Sequence, residues 1–296
     1  MQRPIYAGAD RALVRLNSGE YICVDTNSLD SIDYLLGWEM EAHVLPVFRS
    51  FLRRNSVVLD IGANFGLYTA VSANVVKHCG RLYAFEANPH TYELLERTLY
   101  ANRLAQNPNV TAVNAAVADT AGRRTLNYSP RYLGGATMSN VSQWGTEQRS
   151  VEVTAITIDE FLPAELAVDL VKIDVEGHEP FVLRGMEKTI RRSPNIRVFI
   201  EFVEGFLAGT FGVHSFIDEI ESLGFTICRM LPRFRLELIE HGQTLRGANF
   251  CLLTRTPEED IAHARRAGRT VAARLGRWIR LIDAGWDELR CRLHRQ

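Results

Sequence analysis

A doubly wound α/β sheet is the fold class that the sequence predicts, and three observations carry it. Short apolar runs of strand character recur at Val57–Ile61, Arg81–Phe85, Val110–Val113, Val168–Ile173 and Ile196–Ile200. Helix-compatible stretches separate them, and strands alternating with helices at this spacing pair in parallel. The first run carries Asp60 and then enters Gly62-Ala63-Asn64-Phe65-Gly66 ahead of a stretch that can be helical, so it reads as a strand, a tight loop and a helix N-terminus.

Ahead of that strand, Ala12–Leu16 and Tyr21–Val24 flank Asn17-Ser18-Gly19-Glu20 and read as a hairpin. Residues 30–53 read as mostly helical and deliver the chain to the sheet. After the second strand, Asn88-Pro89 opens a helix that runs to Asn102, with Leu95 and Leu99 on its buried face. Between the third and fourth strands lies an insert, Asp119 to Leu162. Its centre, Tyr132–Asn140, is turn-rich without a periodic run and reads as loop, whereas Val151–Thr157 alternates like a strand. Ligands of such sheets bind at the carboxyl ends of the strands, so the insert is either a lid over that crevice or a plain surface loop. From Pro257 to Gln296 the chain is helix-compatible, with Val271, Leu275, Trp278, Ile282 and Leu289 near one face and Arg274, Arg277 and Arg280 beside it. This basic amphipathic helix either packs on the core or on a second copy in a homodimer, or makes peripheral contact with an anionic membrane. The chain thus divides into an N-terminal hairpin and helical cap (1–53), the sheet domain (54–256) and the C-terminal helix (257–296).

Composition narrows the function. Apolar residues make up 46% of the 296, enough for a substantial core, and a net charge of −1 supplies no field to gather nucleic acid. Five cysteines (Cys23, Cys79, Cys228, Cys251, Cys291) contain no C-x-x-C pair and leave one over in any disulfide scheme, for which a reducing cytoplasm is the simplest setting. The N-terminus lacks an apolar signal region and no stretch reaches membrane-spanning length, so a soluble protein is expected.

The loop spacing selects a cofactor. Counting from Gly62, the second and third glycine positions of a dinucleotide fingerprint hold Asn64 and Leu67, and Phe65-Gly66-Leu67 lacks the lysine of a P-loop. What remains is an acid in the first strand, Asp60, a small-residue loop, and a second acid, Glu86, at the tip of the next strand. That arrangement suits S-adenosylmethionine. Gly62 allows the turn, Gly66 would let a ligand lie on the first helical turn, and Glu86 can accept both ribose hydroxyls. An acid near the loop suits a sulfonium and an amino group, whereas it would repel a pyrophosphate.

Four blocks carry a family resemblance: Val58–Gly66, Phe85–Pro89, Asn114–Asp119 and, most specifically, Val171-Lys172-Ile173-Asp174-Val175-Glu176-Gly177-His178-Glu179. In this order they resemble the FkbM-type S-adenosylmethionine-dependent methyltransferases, over residues 35–205. The resemblance implies a Rossmann-like class I methyltransferase sheet and a cofactor set of Asp60, Gly62, Asn64, Gly66, Glu86, Ala116 and Val117. It also implies O-methylation of a small acceptor such as a sugar, glycan or secondary metabolite.

The chemistry falls after the fourth strand, where Asp174, Glu176, His178 and Glu179 crowd into six residues. A hydroxyl is a poor nucleophile until its proton leaves, and His178 has the unperturbed pKa that suits a general base, with Asp174 and Glu176 beside it. A bound cation is the other solution: Asp174 and Glu201 would close neighbouring strands and offer hard oxygen ligands to Mg2+. The reading favours His178 without an obligatory metal. Two other functions stay open. A nucleic-acid methyltransferase would carry Asp/Asn-Pro-Pro-aromatic or Pro-Cys where Asp174-Val175-Glu176-Gly177 stands, and a non-catalytic binding module would not need Asp60 and Glu86.

Overall fold

The computed structural model describes residues 4–37, 41, 43–138, 147–208, 211–240, 243, 245 and 247–275. Three short strands open the chain: β1 (Ile5–Gly8), β2 (Arg11–Arg15) and β3 (Tyr21–Asp25) form one antiparallel sheet, so the predicted hairpin gains an extra strand. Residues 30–53 are less helical than expected. Among the described residues they hold a 3-10 turn at Leu29–Ser31, α1 (Ile32–Leu35) and α2 (Leu45–Phe51).

The core sheet begins at β4 (Val57–Ile61) and continues through α3 (Leu67–Val76), β5 (Arg81–Phe85), α4 (Pro89–Ala101) and β6 (Val110–Val113). Asn88 caps α4 by accepting from the His90 N–H at 3.0 Å, with Pro89 in the first turn where its missing donor costs nothing. The outer edge of β3 is closed by this helix: the Thr98 hydroxyl accepts from Cys23 N and the Asn102 amide from Tyr21 N, both at 2.9 Å. An open strand edge invites pairing with another chain, and α4 removes that edge.

The insert is a second small sheet. Strands β7 (Ala116–Val117), β8 (Gly122–Ser129), β9 (Tyr132–Thr137) and β10 (Arg149–Ile156) pair in the order β7-β10-β8-β9. Tyr132–Thr137 is therefore a strand where a loop was expected. Gly134 and Gly135 erase the side-chain alternation, yet burial still alternates, with Leu133, Gly135 and Thr137 inward.

The chain returns to the core through α5 (Ile158–Phe161), β11 (Leu170–Ile173), α6 (Glu179–Arg184), α7 (Glu187–Arg192) and β12 (Arg197–Val203). It closes with α8 (Glu204–Ala208), α9 (Val213–Ser222), β13 (Thr226–Leu231), β14 (Arg235–Leu238), β15 (Ala248–Thr254) and α10 (Pro257–Leu275). The eight strands run β14-β13-β15-β12-β11-β4-β5-β6. From β12 to β6 neighbours are parallel as predicted, but β15 pairs antiparallel with both β12 and β13, and β14 antiparallel with β13, so the sheet is mixed. Successive residues feed opposite faces: Val58, Leu170 and Phe199 join one apolar cluster with α2, α3 and α4, whereas Leu59, Val171 and Ile200 join the other with α6, α7 and α9. Strand order reverses between β4 and β11, which opens the crevice at their carboxyl ends.

Helix α10 packs on α2 and β14, and its first turn is anchored by Arg197, whose guanidinium donates to both oxygens of buried Asp260. Trp278, Ile282, Leu289, Arg277 and Arg280 of the predicted amphipathic face lie outside the described residues. No described helix is long and apolar enough to cross a membrane, and Cys23, Cys79, Cys228 and Cys251 are free thiols.

Candidate active site

The loop after β4 is shaped by what lies against it. Gly62 adopts φ +74°, and a Cβ there would sit 1.8 Å from the carbonyl oxygen of Asp174, so only glycine lets the tips of β4 and β11 meet. Gly66 also adopts a left-handed φ (+91°), but its missing Cβ makes room for Leu95 at 2.7 Å and Thr98 at 3.1 Å. Packing of α3 on α4, rather than space for a ligand as expected, requires that glycine.

Glu86 is held by the loop itself: one oxygen accepts from Asn64 N at 2.8 Å and the other from Asn88 N at 2.9 Å. Burial pushes its pKa up to about 7, against the pull of those two N–H groups. Each oxygen keeps a lone pair, which is what a ribose diol needs. Asp60 is wholly buried; one oxygen accepts from the Thr69 hydroxyl at 2.5 Å and the other has no partner. The side-chain oxygen of Asn64 and amide nitrogen of Asn88 are likewise buried and unpartnered. Oriented but unsatisfied polar atoms around this loop fit a polar cofactor with hydroxyl and amino groups. Ala116 and Val117 behave differently: they form β7, and their side chains are buried in protein.

Across the seam, carboxylate oxygens of Asp174 and Glu176, just past the end of β11, and of Glu201, inside β12 rather than at its end as expected, lie within 4.8 Å of one another. Burial, then Asp174, raises the pKa of Glu176 and of Glu201 well above the usual range for a carboxylate. The buried Lys172 ammonium donates to the Gly62 carbonyl at 2.6 Å, pairs with Asp174 at 3.2 Å and lies 5.6 Å from the centre of the Tyr68 ring. Burial works against that charge, but Asp174, Asp60 and Glu41 together hold its pKa above the ordinary value. Glu179 is a brace, accepting from Val175 N at 3.1 Å and Gly177 N at 3.2 Å.

His178 does not join the carboxylates. Its ring stacks on Phe181 with centroids 4.4 Å apart, its Nε2 is buried without a partner, and burial lowers its pKa to about 4. The charges that act on it are Asp119 and Arg124 beside the small sheet. Glu176 and Gly177, both left-handed at φ +52° and +92°, redirect the chain between the acids and the imidazole.

Sequence reasoning missed four contributors. Lys172 was signalled by its place inside an apolar strand. Tyr132 of β9 comes close enough to the crevice for Glu176, Asp174 and Glu201 to raise its pKa further after burial. Asp30 accepts from Gly134 N at 2.8 Å and is hydrogen-bonded by Asn64, which ties the N-terminal segment, the insert and the cofactor loop together. Glu41 accepts the hydroxyl of Tyr68, and its charge acts on Lys172. Neither acid carries a motif.

Comparison with known proteins places this geometry in a family. The profile of the methyltransferase FkbM domain matches residues 60–227. A methyltransferase of Sordaria araneosa, sdnD, is 26% identical over 165 residues, 46% of this chain and 62% of that protein. The hexuronic acid methyltransferase AglP of Haloferax volcanii is 25% identical over 158 residues, 51% of this chain and 58% of that protein. The chain thus spans less than two thirds of either relative. Among solved structures, methyltransferase FkbM from Methylobacillus flagellatus superposes with a TM-score of 0.44 at 15% identity, covering 70% of this chain and 47% of that one.

Proposed function

The chain belongs to the FkbM methyltransferase family, and from that premise we propose that it transfers a methyl group from S-adenosylmethionine to a hydroxyl of a small acceptor, a sugar, glycan or secondary metabolite. The observation that carries the reading is the group formed by Asp174, Glu176 and Glu201, set directly across the Gly62 seam from the loop that would hold the cofactor.

When bound, the cofactor supplies an electrophilic methyl group on a positively charged sulfur. Glu86 would hold the ribose, and the Gly62–Gly66 loop would set the direction of the methyl group. Transfer to the acceptor oxygen would leave a neutral thioether, and the hydroxyl proton would pass to a carboxylate of this chain. Glu201 or Glu176 would take that proton: carboxylate oxygens of both lie with Asp174 in the crevice, and burial raises the proton affinity of each. In-line alignment of oxygen, carbon and sulfur supplies the rest of the acceleration. His178, the base expected from sequence, stacks on Phe181 instead, and an imidazole with a pKa of about 4 is a weak base.

A second reading has support from the same atoms. Three carboxylate oxygens within 4.8 Å also suit a divalent cation such as Mg2+, which would stabilise the alkoxide directly. A relative that by its name methylates a hexuronic acid supports placing sugars in the acceptor panel. The free thiols suit a reducing cytoplasm.

The test is mass spectrometry of a panel of neutral sugars, uronic acids, nucleotide sugars and polyketides incubated with methyl-labelled S-adenosylmethionine, with and without chelator. Label on oxygen supports the proposal, and loss of labelling with chelator, restored by magnesium, selects the cation reading. Label on nitrogen or carbon, or labelling of nucleic acid alone, overturns it.

A further inference from the structure

The N-terminal segment sends one side chain to the seam between the two halves of the site. Glu41 lies outside the span matched to the family and adopts a left-handed backbone, φ +50°, which is costly for a residue with a side chain. Its carboxylate accepts the hydroxyl of Tyr68 from the first turn of α3. The ring of that tyrosine faces the Lys172 ammonium, which in turn holds the Gly62 carbonyl and Asp174. Three carboxylates, Glu41, Asp60 and Asp174, therefore act on one ammonium. Burial raises the pKa of Glu41 to about 7 and raises that of Asp60, so Glu41 carries its full charge above neutral pH. The acids outnumber the ammonium around the seam where the loop after β4 meets the tip of β11.

A sulfonium cofactor and its spent product differ there by one positive charge. We propose that Glu41, with Asp60 and Asp174, forms an anionic bracket that holds the charged sulfonium cofactor in preference to the neutral thioether product. The inference rests on the S-adenosylmethionine reading above. It gives the N-terminal segment a part in turnover: methyl transfer removes the charge that the bracket holds, and the product loses that attraction. Glu41 is a positioning residue in this scheme, since Tyr68 fixes its carboxylate from below.

Glu41→Gln keeps the shape and an oxygen for the Tyr68 hydroxyl but removes the charge. Calorimetric titration at about pH 8.5, above the pKa of Glu41, should show S-adenosylmethionine bound roughly tenfold more weakly, with affinity for S-adenosylhomocysteine unchanged within about twofold. Equal weakening of both ligands, or no change in either, overturns the inference. A wild-type measurement decides the matter where the variant does not fold. Sinefungin, which carries an amine on carbon in place of the methylated sulfur, should bind more tightly than S-adenosylhomocysteine, and equal or weaker binding overturns the bracket. Failure of the cofactor reading looks different, because then none of the three ligands binds the wild-type protein.

Discussion

The carboxylates on the two sides of the Gly62 seam differ in burial and are held in opposite ways: Asp60 and Glu86 are buried, whereas Asp174, Glu176 and Glu201 are half-buried. On the cofactor side, Glu86 is fixed by two backbone N–H groups and Asp60 by the Thr69 hydroxyl, so each has a defined direction before any ligand arrives. On the acceptor side, crowding adds to burial: Glu176 and Glu201 answer first to burial, then to Asp174 and to Glu179. Backbone donors pre-orient one half, while crowding in the other leaves acids that a proton, a cation or an acceptor hydroxyl can relieve. On the function proposed above, that contrast gives a preformed cofactor site and an acceptor site that is completed by its ligand.

The largest effect should come from breaking the seam itself. Gly62→Ala drives a Cβ into the Asp174 carbonyl and strains a left-handed residue, so both halves should fail together. Thermal or denaturant unfolding should show a loss of about 3 kcal/mol or more, with cofactor binding and turnover lost with it. Gly66→Ala is the control, because its clash is with the flexible end of Leu95 and Cγ2 of Thr98, and a smaller loss is expected. A Gly62→Ala protein with normal binding would show that the halves are independent.

Within the acceptor half, Glu201→Gln should lower turnover by roughly 10²–10⁴ with cofactor affinity unchanged within about twofold, because proton removal matters only as the reaction proceeds. Single-turnover kinetics beside calorimetry separates the two quantities. Weakened cofactor binding with normal turnover would move Glu201 to the other half. For the cofactor half, Glu86→Ala should cost about 1.5–3 kcal/mol of cofactor binding, the scale of a charged hydrogen bond. Because the ribose is common to cofactor and product, calorimetry should show both ligands weakened alike, unlike the Glu41 variant.

The fold was legible where residue pattern and tertiary environment agree. Strands β4, β5, β11 and β12 are apolar runs buried on both faces, and such runs announce themselves. The antiparallel edge did not, since nothing local in Thr226–Leu231 or Ala248–Thr254 says which neighbour either strand will choose. Strand β9 was hidden because Gly134 is present for backbone contact: a Cβ there would lie 3.0 Å from Asp30 and 3.3 Å from Asn64. In the site, Glu86 and Asp174 could be read from their position at strand tips. Glu41 and Asp30 could not, because both reach the crevice from a segment with little regular structure, and only tertiary packing brings them there.

His178 gives the smallest expected effect and sharpens the contrast most. Its motif spacing suggested a base, but two left-handed residues turn the chain before it, and its ring packs on Phe181. With burial lowering its pKa to about 4, the imidazole stays neutral across the neutral range and contributes no rising limb to a pH–rate profile there. His178→Ala should therefore reduce turnover by less than about tenfold and cost about 1–3 kcal/mol of stability through lost packing and stacking. Turnover across pH 6–9, measured beside unfolding curves, checks both numbers. A fall of roughly 10²–10⁴ in turnover together with disappearance of the rising limb would make the imidazole the base after all. Glu176 and Glu201 would then be left with acceptor binding or a cation, and the chelator experiment would decide between those two.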